Sequence, residues 1–307
     1  RDRVTLLARE VRAGCMQDRE DLAGAQAELR DLAAICERAL GPTSEQTLAV
    51  QGQLASVLMA SGAYAESEAI QRRVLAARQR ATGANKLETL TIRANIAALM
   101  GEQGQTAAAA DALRVLHADA VNAIGPVHEL SLTIGSNLTE MLMRLGRGEE
   151  AAVSSEARLA RCVQELGWGH ARTQSEAAAL GSLRLRLGQH DAALELAHRA
   201  ASEAAQALGT ESQWHHRQRQ NQAAALSASA RFDESEAIYT QTIDFYRGTF
   251  GPDHQLTLGA SNNYGLMLVE RGDGARAEAL LRDTLARAMA SGFAPMEPVL
   301  RRNLGRA

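Results

Sequence analysis

One residue type recurs along this chain at a fixed interval, and that interval limits the fold more than any other feature. Every interval in the first glycine series is 42 residues: Gly41, Gly83, Gly125, Gly167, Gly209 and Gly251. A second series lies half a period later, at Gly62, Gly104, Gly146, Gly188 and Gly272, and Ala230 fills its one gap. Two turns per period, separated by about 16–18 residues, predict a hairpin of two helices in every repeat.

The segment around each glycine of the first series is typical of a helix boundary. The segment "FGPDHQLTL" (250–258) recurs as "LGPTSEQTL" (40–48), "TGANKLETL" (82–90) and "IGPVHELSL" (124–132). A glycine can end one helix in the left-handed conformation, proline prevents its continuation, and Ser, Thr, Asp or His can cap the next helix. We therefore interpret the motif as a turn and not as a functional site.

Two more positions repeat with the same period. Five residues after each mid-repeat position stands a small residue: Ser67, Ala109, Ala151, Ala193, Ser235 and Ala277. Nine residues before it the chain carries Gln53, Asn95, Asn137, Ala179, Asn221 and Asn263. A small residue at one fixed place predicts that the two helices of each hairpin approach closely.

These segments resemble tetratricopeptide repeats. The resemblance is carried by "TLGASNNYGLMLVERGDGARAEALLRDTLARA" (257–288) and "GAYAESEAIQRRVLAAR" (62–78), and the 42-residue period makes it similar to the kinesin-light-chain variety. It is strong over 41–292 and weaker over 1–40, where Glu20 replaces the mid-repeat glycine. Armadillo repeats of three helices do not fit two equal halves, and HEAT repeats lack the asparagine and small-residue positions.

The resemblance implies an all-α fold, a right-handed superhelical α-solenoid of antiparallel helix-turn-helix repeats. We expect one domain over 1–307, with a divergent repeat (1–40), six 42-residue repeats (41–292) and a partial or capping helix (293–307). First helices are expected near 3–18, 44–60, 86–102, 128–144, 170–186, 212–228 and 254–270. Second helices are expected near 21–40, 63–81, 105–123, 147–165, 189–207, 231–249 and 273–290.

In such arrays the first helices line a concave face, so the resemblance also implies a peptide-binding groove. Its expected residues are Asn95, Asn137, Glu140, Arg144, Arg186, Arg217, Gln220, Asn221, Asn262 and Asn263. An amide offers donors and an acceptor to an extended peptide backbone, and arginine offers planar charge to a carboxylate. The alternative is that the asparagines bind neighbouring helices and that the arginines lie on a solvated face. With Glu270 included, the groove has mixed charge.

Composition and motifs exclude several other classes of function. A formal net charge of −3 and a pI near 6.3 do not indicate a nucleic-acid-binding protein. Three scattered cysteines form no disulfide framework or metal motif, and no apolar run approaches the ~20 residues of a membrane span. No catalytic or cofactor motif is visible, so we predict a non-enzyme without a cofactor.

The aligned histidines His128, His170 and His254 and the "RGD" at 271–273 are weak signals. Equivalent positions in successive repeats lie too far apart to share one metal ion, because packed helices are about 8–10 Å apart and metal bonds are ~2 Å. We expect these histidines to cap helices. The "RGD" contains Gly272 of the repeat series, and turn chemistry accounts for it.

The preferred functional interpretation is a protein-protein interaction module, a scaffold that binds a protein or peptide in its groove. One alternative is a regulatory segment of a larger bacterial signalling protein, such as a serine/threonine kinase, since the chain does not begin with Met and its last helix begins near residue 294. Another is self-association through Phe232, Tyr239, Phe245, Tyr246 and Phe250, which otherwise fill space between repeats. We expect a cytoplasmic location, with a periplasmic one as the alternative.

Overall fold

The computed structural model describes residues 3–18, 21–82, 86–292 and 296–307, and within these ranges the chain forms fifteen helices and no strand. The helices are α1 (Arg3–Asp18), α2 (Leu22–Leu40), α3 (Glu45–Ala60), α4 (Tyr64–Thr82), α5 (Leu87–Glu102), α6 (Thr106–Ile124), α7 (Glu129–Arg144), α8 (Gly148–Leu166), α9 (Ala171–Arg186), α10 (His190–Leu208), α11 (Gln213–Ala228), α12 (Phe232–Phe250), α13 (Gln255–Arg271), α14 (Gly274–Ala290) and α15 (Glu297–Leu304).

These bounds confirm the hairpin reading of the glycine series. Each of the fourteen predicted helices of the seven hairpins is present, and the described ends lie within one residue of those expected. The last helix begins at Glu297, three residues later than expected. Gly83 of the first series, Glu20 and residues 293–295 fall outside the described residues.

The chain forms two compact units, residues 1–151 and 152–307. That the chain forms one uninterrupted solenoid over 1–307, and that this solenoid is right-handed, stay predictions. In the first unit each helix from α1 to α7 packs on the next along the chain, and α5 also packs on α7. Its core includes Leu29, Leu32, Val57 and Leu58, all at most 1% exposed.

In the second unit the consecutive helices α9 to α15 pack on each other in the same way. The first helices of successive hairpins also touch, because α9 packs on α11, α11 on α13, and α13 on α15. One core cluster joins Tyr239, Tyr246, Met267 and Leu268, and a second lies under α15 around Leu300. The first helices therefore form a continuous inner layer within this unit.

The small-residue position lies at the contact between the two helices of each hairpin. All six of its residues are at most 1% exposed. At two of them the side chain is a serine whose hydroxyl donates to a carbonyl of the facing helix: Ser67 Oγ to Ala55 O at 2.6 Å, and Ser235 Oγ to Ala223 O at 2.8 Å. The predicted close approach of the helices is confirmed.

The two glycine series have different backbone conformations. Gly41, Gly125, Gly209 and Gly251 have φ between 86° and 98° with ψ between 156° and 163°. The left-handed conformation predicted for the first series is therefore wrong at these four positions, since their ψ lies in the region open essentially to glycine alone. Gly272 of the second series is left-handed, with φ 88° and ψ 12°.

The one gap in the glycine series falls where an alanine can be tolerated. Ala230 has φ 58° and is the only described residue other than glycine with a positive φ. The left-handed region costs an L-residue roughly 1–2 kcal/mol but remains accessible to it, unlike the region used by the first series. This difference explains why the substitution occurs in the second series.

Histidine caps begin three of the first helices. The Nδ1 atoms of His128, His170 and His254 accept hydrogen bonds from the backbone N–H two residues later, at 3.1, 3.1 and 3.3 Å. Ser44 and Ser212 cap α3 and α11 at the same place in the repeat. The predicted capping role of the aligned histidines is confirmed.

Candidate functional site

A pocket of about 370 Å³ opens on the inner helices of the second unit. It is lined from α9 by Ala177, Gly181, Ser182 and Leu185, from α10 by Ala193 and Ala197, from α11 by Gln218, Asn221, Ala224, Ser227 and Ala228, from α12 by Tyr239, and from α13 by Asn263, Leu266, Met267 and Glu270. Small side chains on α9, α10 and α11 leave this space open. Apolar walls with a few polar groups are typical of ligand sites, and this volume lies near the lower end of their range.

An amide chain fixes the orientation of Asn221 in this pocket. Gln218 is 1% exposed, and its Nε2 donates to the backbone carbonyl of Gln174 at 2.8 Å. Its Oε1 therefore faces the other way and accepts from Asn221 Nδ2 at 3.0 Å. A backbone carbonyl can only accept, so the order of donors along the chain is determined, and the Oδ1 of Asn221 is left as an acceptor for another molecule.

Asn263 lies on the neighbouring helix with the opposite polarity. Asn303 of α15 donates to Asn262 Oδ1 at 2.8 Å, and Asn262 Nδ2 donates to Asn263 Oδ1 at 3.2 Å. The Nδ2 of Asn263 has no acceptor among the described residues, so it can donate to another molecule. Asn262 is 6% exposed and engaged on both sides, so its side chain belongs to the interior and does not line the pocket.

Glu270 stands at the edge of the same pocket. Ser227 Oγ, on the buried side, donates to Glu270 Oε2 at 2.6 Å, which ties α11 to α13. Tyr239 lies beneath and is 2% exposed. Burial, with a smaller contribution from the charge of Glu270, raises the pKa of the Tyr239 phenol, which is therefore neutral at ordinary pH.

The first unit holds four of the predicted groove residues. Asn95 and Asn137 occupy equivalent positions on α5 and α7, are half-buried, and their side chains form no hydrogen bond within the described part of the chain. Arg144 contacts Glu140 at 3.5 Å and Glu102 at 3.4 Å. This inner face thus offers two uncommitted amides and an arginine that is already paired with two carboxylates.

The remaining predicted residues lie in the second unit but outside its pocket. Arg217 is exposed, and its guanidinium lies 5.3 Å from the ring centroid of Trp214, which is a cation–π geometry. Arg186 is exposed at the end of α9, and Gln220 is half-buried on α11. The pocket therefore brings together Asn221 and Asn263 from the predicted list, and leaves these three apart from it.

The sequence interpretation missed Gln218 and Ser227. Gln218 orients Asn221 by a hydrogen bond, and Ser227 does the same for Glu270. Gln218 carries only a weak signal in the repeat, because Val50, Ile92 and Ile134 stand at its equivalent position but Glu176 does so too. A polar residue at a position that is otherwise apolar indicates a local role. Ser227 meets this condition and could have been found from the repeat, because its equivalents are Met59, Gly101, Met143, Leu185 and Val269.

The second unit also buries an ion pair away from the pocket. Arg158 and Glu176 are 5% and 6% exposed, and Arg158 Nε lies 3.1 Å from Glu176 Oε2. Arg158 also donates to Ser155 Oγ at 3.2 Å. Nearby Cys162 is fully buried, and its burial, with the charge of Glu176, raises the pKa of the thiol to about 11, so the group is unreactive.

Several aromatic side chains on α11 and α12 pack between the helices of the second unit. The ring of His216 stacks on Phe245 with centroids 3.7 Å apart, and Tyr246 is 1% exposed beside them. Phe232 is half-buried, and Phe250 is 38% exposed and stacks on His254 with centroids 4.8 Å apart. Tyr239 and Tyr246 thus fill space between helices, whereas Phe250 stays exposed, and self-association through these residues stays a prediction.

No group of three or more His, Cys, Asp or Glu side chains within the described ranges could hold a metal ion. In the same part of the chain, no helix is both long and apolar enough to cross a membrane. The three free cysteines are Cys15, Cys36 and Cys162, of which the last two are buried.

These features define a class of protein: an all-α array of helical hairpins whose first helices present an inner surface. The tetratricopeptide repeat family matches residues 46–118 and 214–290. The chain thus contains tetratricopeptide repeats, and the resemblance seen in the sequence is confirmed. The presence of these repeats supports, in general terms, a role of the chain as a protein-interaction module. No curated protein matches the sequence.

Solved structures of kinesin-light-chain-like repeats are similar to this chain. A Podosopora anserina protein, described as a kinesin light chain with nearly identical TPR-like repeats, is 22% identical with a TM-score of 0.59 over 66% of this chain and 95% of its own. BtubC (BKLC) from P. vanneervenii is 18% identical, with a TM-score of 0.58 over 76% of this chain and 92% of its own. At these identities the likeness concerns the fold.

A third similar structure carries its repeats within a longer chain. The signal transduction ATPase with numerous domains (STAND) from Pyrococcus horikoshii, which has a tetratricopeptide repeat sensor, is 12% identical with a TM-score of 0.60. The match covers 96% of this chain and 44% of the other. This likeness also shows the fold alone.

Proposed function

We propose that this chain is a non-catalytic interaction module that binds an extended segment of another protein along its inner helices. The proposal commits to the pocket of the second unit as the principal site. Asn221 and Asn263 are its backbone-reading residues, and Asn95 and Asn137 play the same part on the inner face of the first unit.

The carrying observation is the complementary polarity of Asn221 and Asn263. One presents an acceptor and the other presents donors toward the same pocket, while the opposite end of each amide is bonded inside the protein. A peptide backbone offers one N–H and one C=O per residue, whatever its sequence. Two amides held in this way can satisfy both kinds of group, which is what a site for extended backbone needs.

Asn263→Asp is the sharpest test of this role. The carboxylate keeps an oxygen that can accept from Asn262, but it replaces the outward donor with an acceptor of the same size. We expect a ligand protein captured from a lysate by the wild-type chain to be lost by this variant and by Asn221→Ala with Asn263→Ala.

The matched control replaces two exposed amides outside the pocket, Asn122→Ala with Gln206→Ala, and should capture the same ligand. All variants are first compared by far-UV circular dichroism and thermal melting, because Asn221→Ala leaves a buried oxygen of Gln218 unpaired, at a cost of about 1–3 kcal/mol. Equal capture by the pocket variants and the wild type would place the interaction elsewhere and contradict the proposal.

A regulatory segment of a larger signalling enzyme is our second candidate function. The observation that favours it is the similar fold of a repeat sensor within the longer STAND protein. A serine/threonine kinase as the larger protein, association of the chain with itself, and a cytoplasmic location stay predictions. Chain length measured on the native protein from its source tests the first of these, and a kinase activity in that protein would support it.

A further inference from the structure

The pocket of the second unit carries one charge. Among the described residues of its lining, Glu270 is the only Asp, Glu, Lys, Arg or His, since every other member is apolar, a hydroxyl or an amide. Within the described ranges no arginine, lysine or histidine forms an ion pair with Glu270. The site therefore presents a negative charge that its own walls do not neutralise.

The orientation of this carboxylate is fixed from inside. Ser227 is 6% exposed and donates to one oxygen of Glu270, whereas the Glu270 side chain as a whole is exposed. The second oxygen has no hydrogen-bond partner among the described residues. A carboxylate held by one oxygen offers the other to a ligand donor without first losing a protein contact, and charge-assisted bonds of this kind are the stronger ones.

The apolar lining of the pocket is suited to the methylene stem of a long basic side chain. Leu185, Leu266 and Met267 supply apolar surface to the pocket that Glu270 also lines, and Gly181 and Ala224 add little bulk to it. Lysine and arginine bury their methylene stems on apolar surface while the charged end stays near water and a partner. An acidic side chain would be repelled by Glu270, and a purely apolar one would leave the carboxylate unused.

From this arrangement we infer that the pocket selects a ligand segment that carries a lysine or arginine, and that Glu270 determines this specificity. The inference rests on the proposed peptide binding and adds the chemistry of one ligand side chain. Asn221 and Asn263 hold the backbone, and Glu270, positioned by Ser227, reads the basic group.

A random peptide library displayed on phage tests this specificity with defined probes. Selection is carried out on the wild type, Glu270→Gln, Glu270→Lys and the control Glu211→Gln, which removes an equal charge from an exposed loop residue outside the pocket. We expect the wild type and the control to enrich one position in Lys and Arg. Glu270→Gln should lose this preference, and Glu270→Lys should replace it with Asp and Glu.

Synthetic peptides then measure the size of the effect. In the strongest binder, replacing the enriched lysine with norleucine should weaken binding to the wild type about five- to tenfold, and leave binding to Glu270→Gln unchanged within about twofold. Ser227→Ala should lower the discrimination between the two peptides because the carboxylate is no longer held.

The outcomes separate the inference from the proposed function. Binders that are lost on Asn263→Asp but show no basic preference, or keep it on Glu270→Gln, would refute the role of Glu270 while preserving the backbone site. Binders indifferent to Asn263→Asp, or no enrichment at all, would contradict both.

Discussion

The buried ion pair between α8 and α9 gives the most demanding test of these energetic arguments. Arg158 and Glu176 lie 3.1 Å apart and are almost fully buried. At an effective dielectric constant of about 20, their attraction is about 5 kcal/mol, and the loss of hydration costs several kcal/mol per ion. The pair is therefore close to neutral in net effect, whereas either ion alone is strongly unfavourable.

The chain itself supplies the apolar replacement. Leu116 and Ile134 stand 42 residues before Arg158 and Glu176, and they are 1% and 0% exposed. We expect Arg158→Leu alone, and Glu176→Ile alone, to lower the free energy of unfolding by about 3–5 kcal/mol, because each removes the buried counter-charge of the other ion. The double variant should range from neutral to about 1–4 kcal/mol more stable than the wild type.

Hydrogen exchange of the α8 and α9 amides, read by mass spectrometry, reports the local opening free energy, and thermal melting by circular dichroism supports it. Arg282→Leu serves as the exposed control, since it removes an ion pair with Glu278 on the surface of α14 and should change stability by less than about 1 kcal/mol. A double variant as unstable as the sum of the two single ones would refute the reasoning, as would a single variant that melts like the wild type.

Three further perturbations have expected outcomes. Ala230→Gly should stabilise the chain by about 0.5–1 kcal/mol because it relieves a positive φ, and Gly188→Ala should do the reverse; an unchanged melting temperature in both would contradict this assignment. Ala109→Leu should destabilise by about 1–3 kcal/mol through overpacking at a fully buried position, whereas exposed Ala107→Leu should stay within about 0.5 kcal/mol. Burial, His215 and Arg219 lower the pKa of His216 to about 4, below the unfolded value near 6.5. Its stabilising contribution is therefore complete above pH 6.5 and is lost as the pH falls toward 4, and the melting temperature should fall less between pH 7 and 5 in His216→Phe.

The fold was predictable because it repeats. A glycine that recurs at six positions 42 residues apart, with a small residue at a fixed offset, leaves few alternatives, and Ser67 and Ala109 were placed correctly from the offset alone. The backbone conformation of Gly41 was not predicted correctly. A sequence shows that glycine is needed there, but not which of the conformations open to glycine it adopts.

The site was less accessible from the sequence because it depends on pairings between repeats. Asn221 and Asn262 look alike in the sequence, since both are asparagines on a first helix. Asn262 faces the interior, where it pairs with Asn303, 41 residues further along the chain. The carbonyl of Gln174 orients Gln218, and Gln218 in turn determines that the oxygen of Asn221 faces outward. The orientation of each amide therefore depends on a group in another repeat, and the local sequence around the amide does not indicate that group.

The glycine joints have a consequence for how such a chain changes in length. Because Gly209 and Gly251 have nearly the same backbone angles, removing residues 209–250 would rejoin the chain through an equivalent joint, and duplicating them would do likewise. Gains and losses of whole 42-residue blocks are therefore easily accommodated, whereas a deletion of a few residues would shift every later helix face. The pocket does not share this tolerance, since α9, α11 and α13 each contribute to it. Recombination can thus extend the scaffold freely while each new arrangement of neighbours creates or erases a binding specificity.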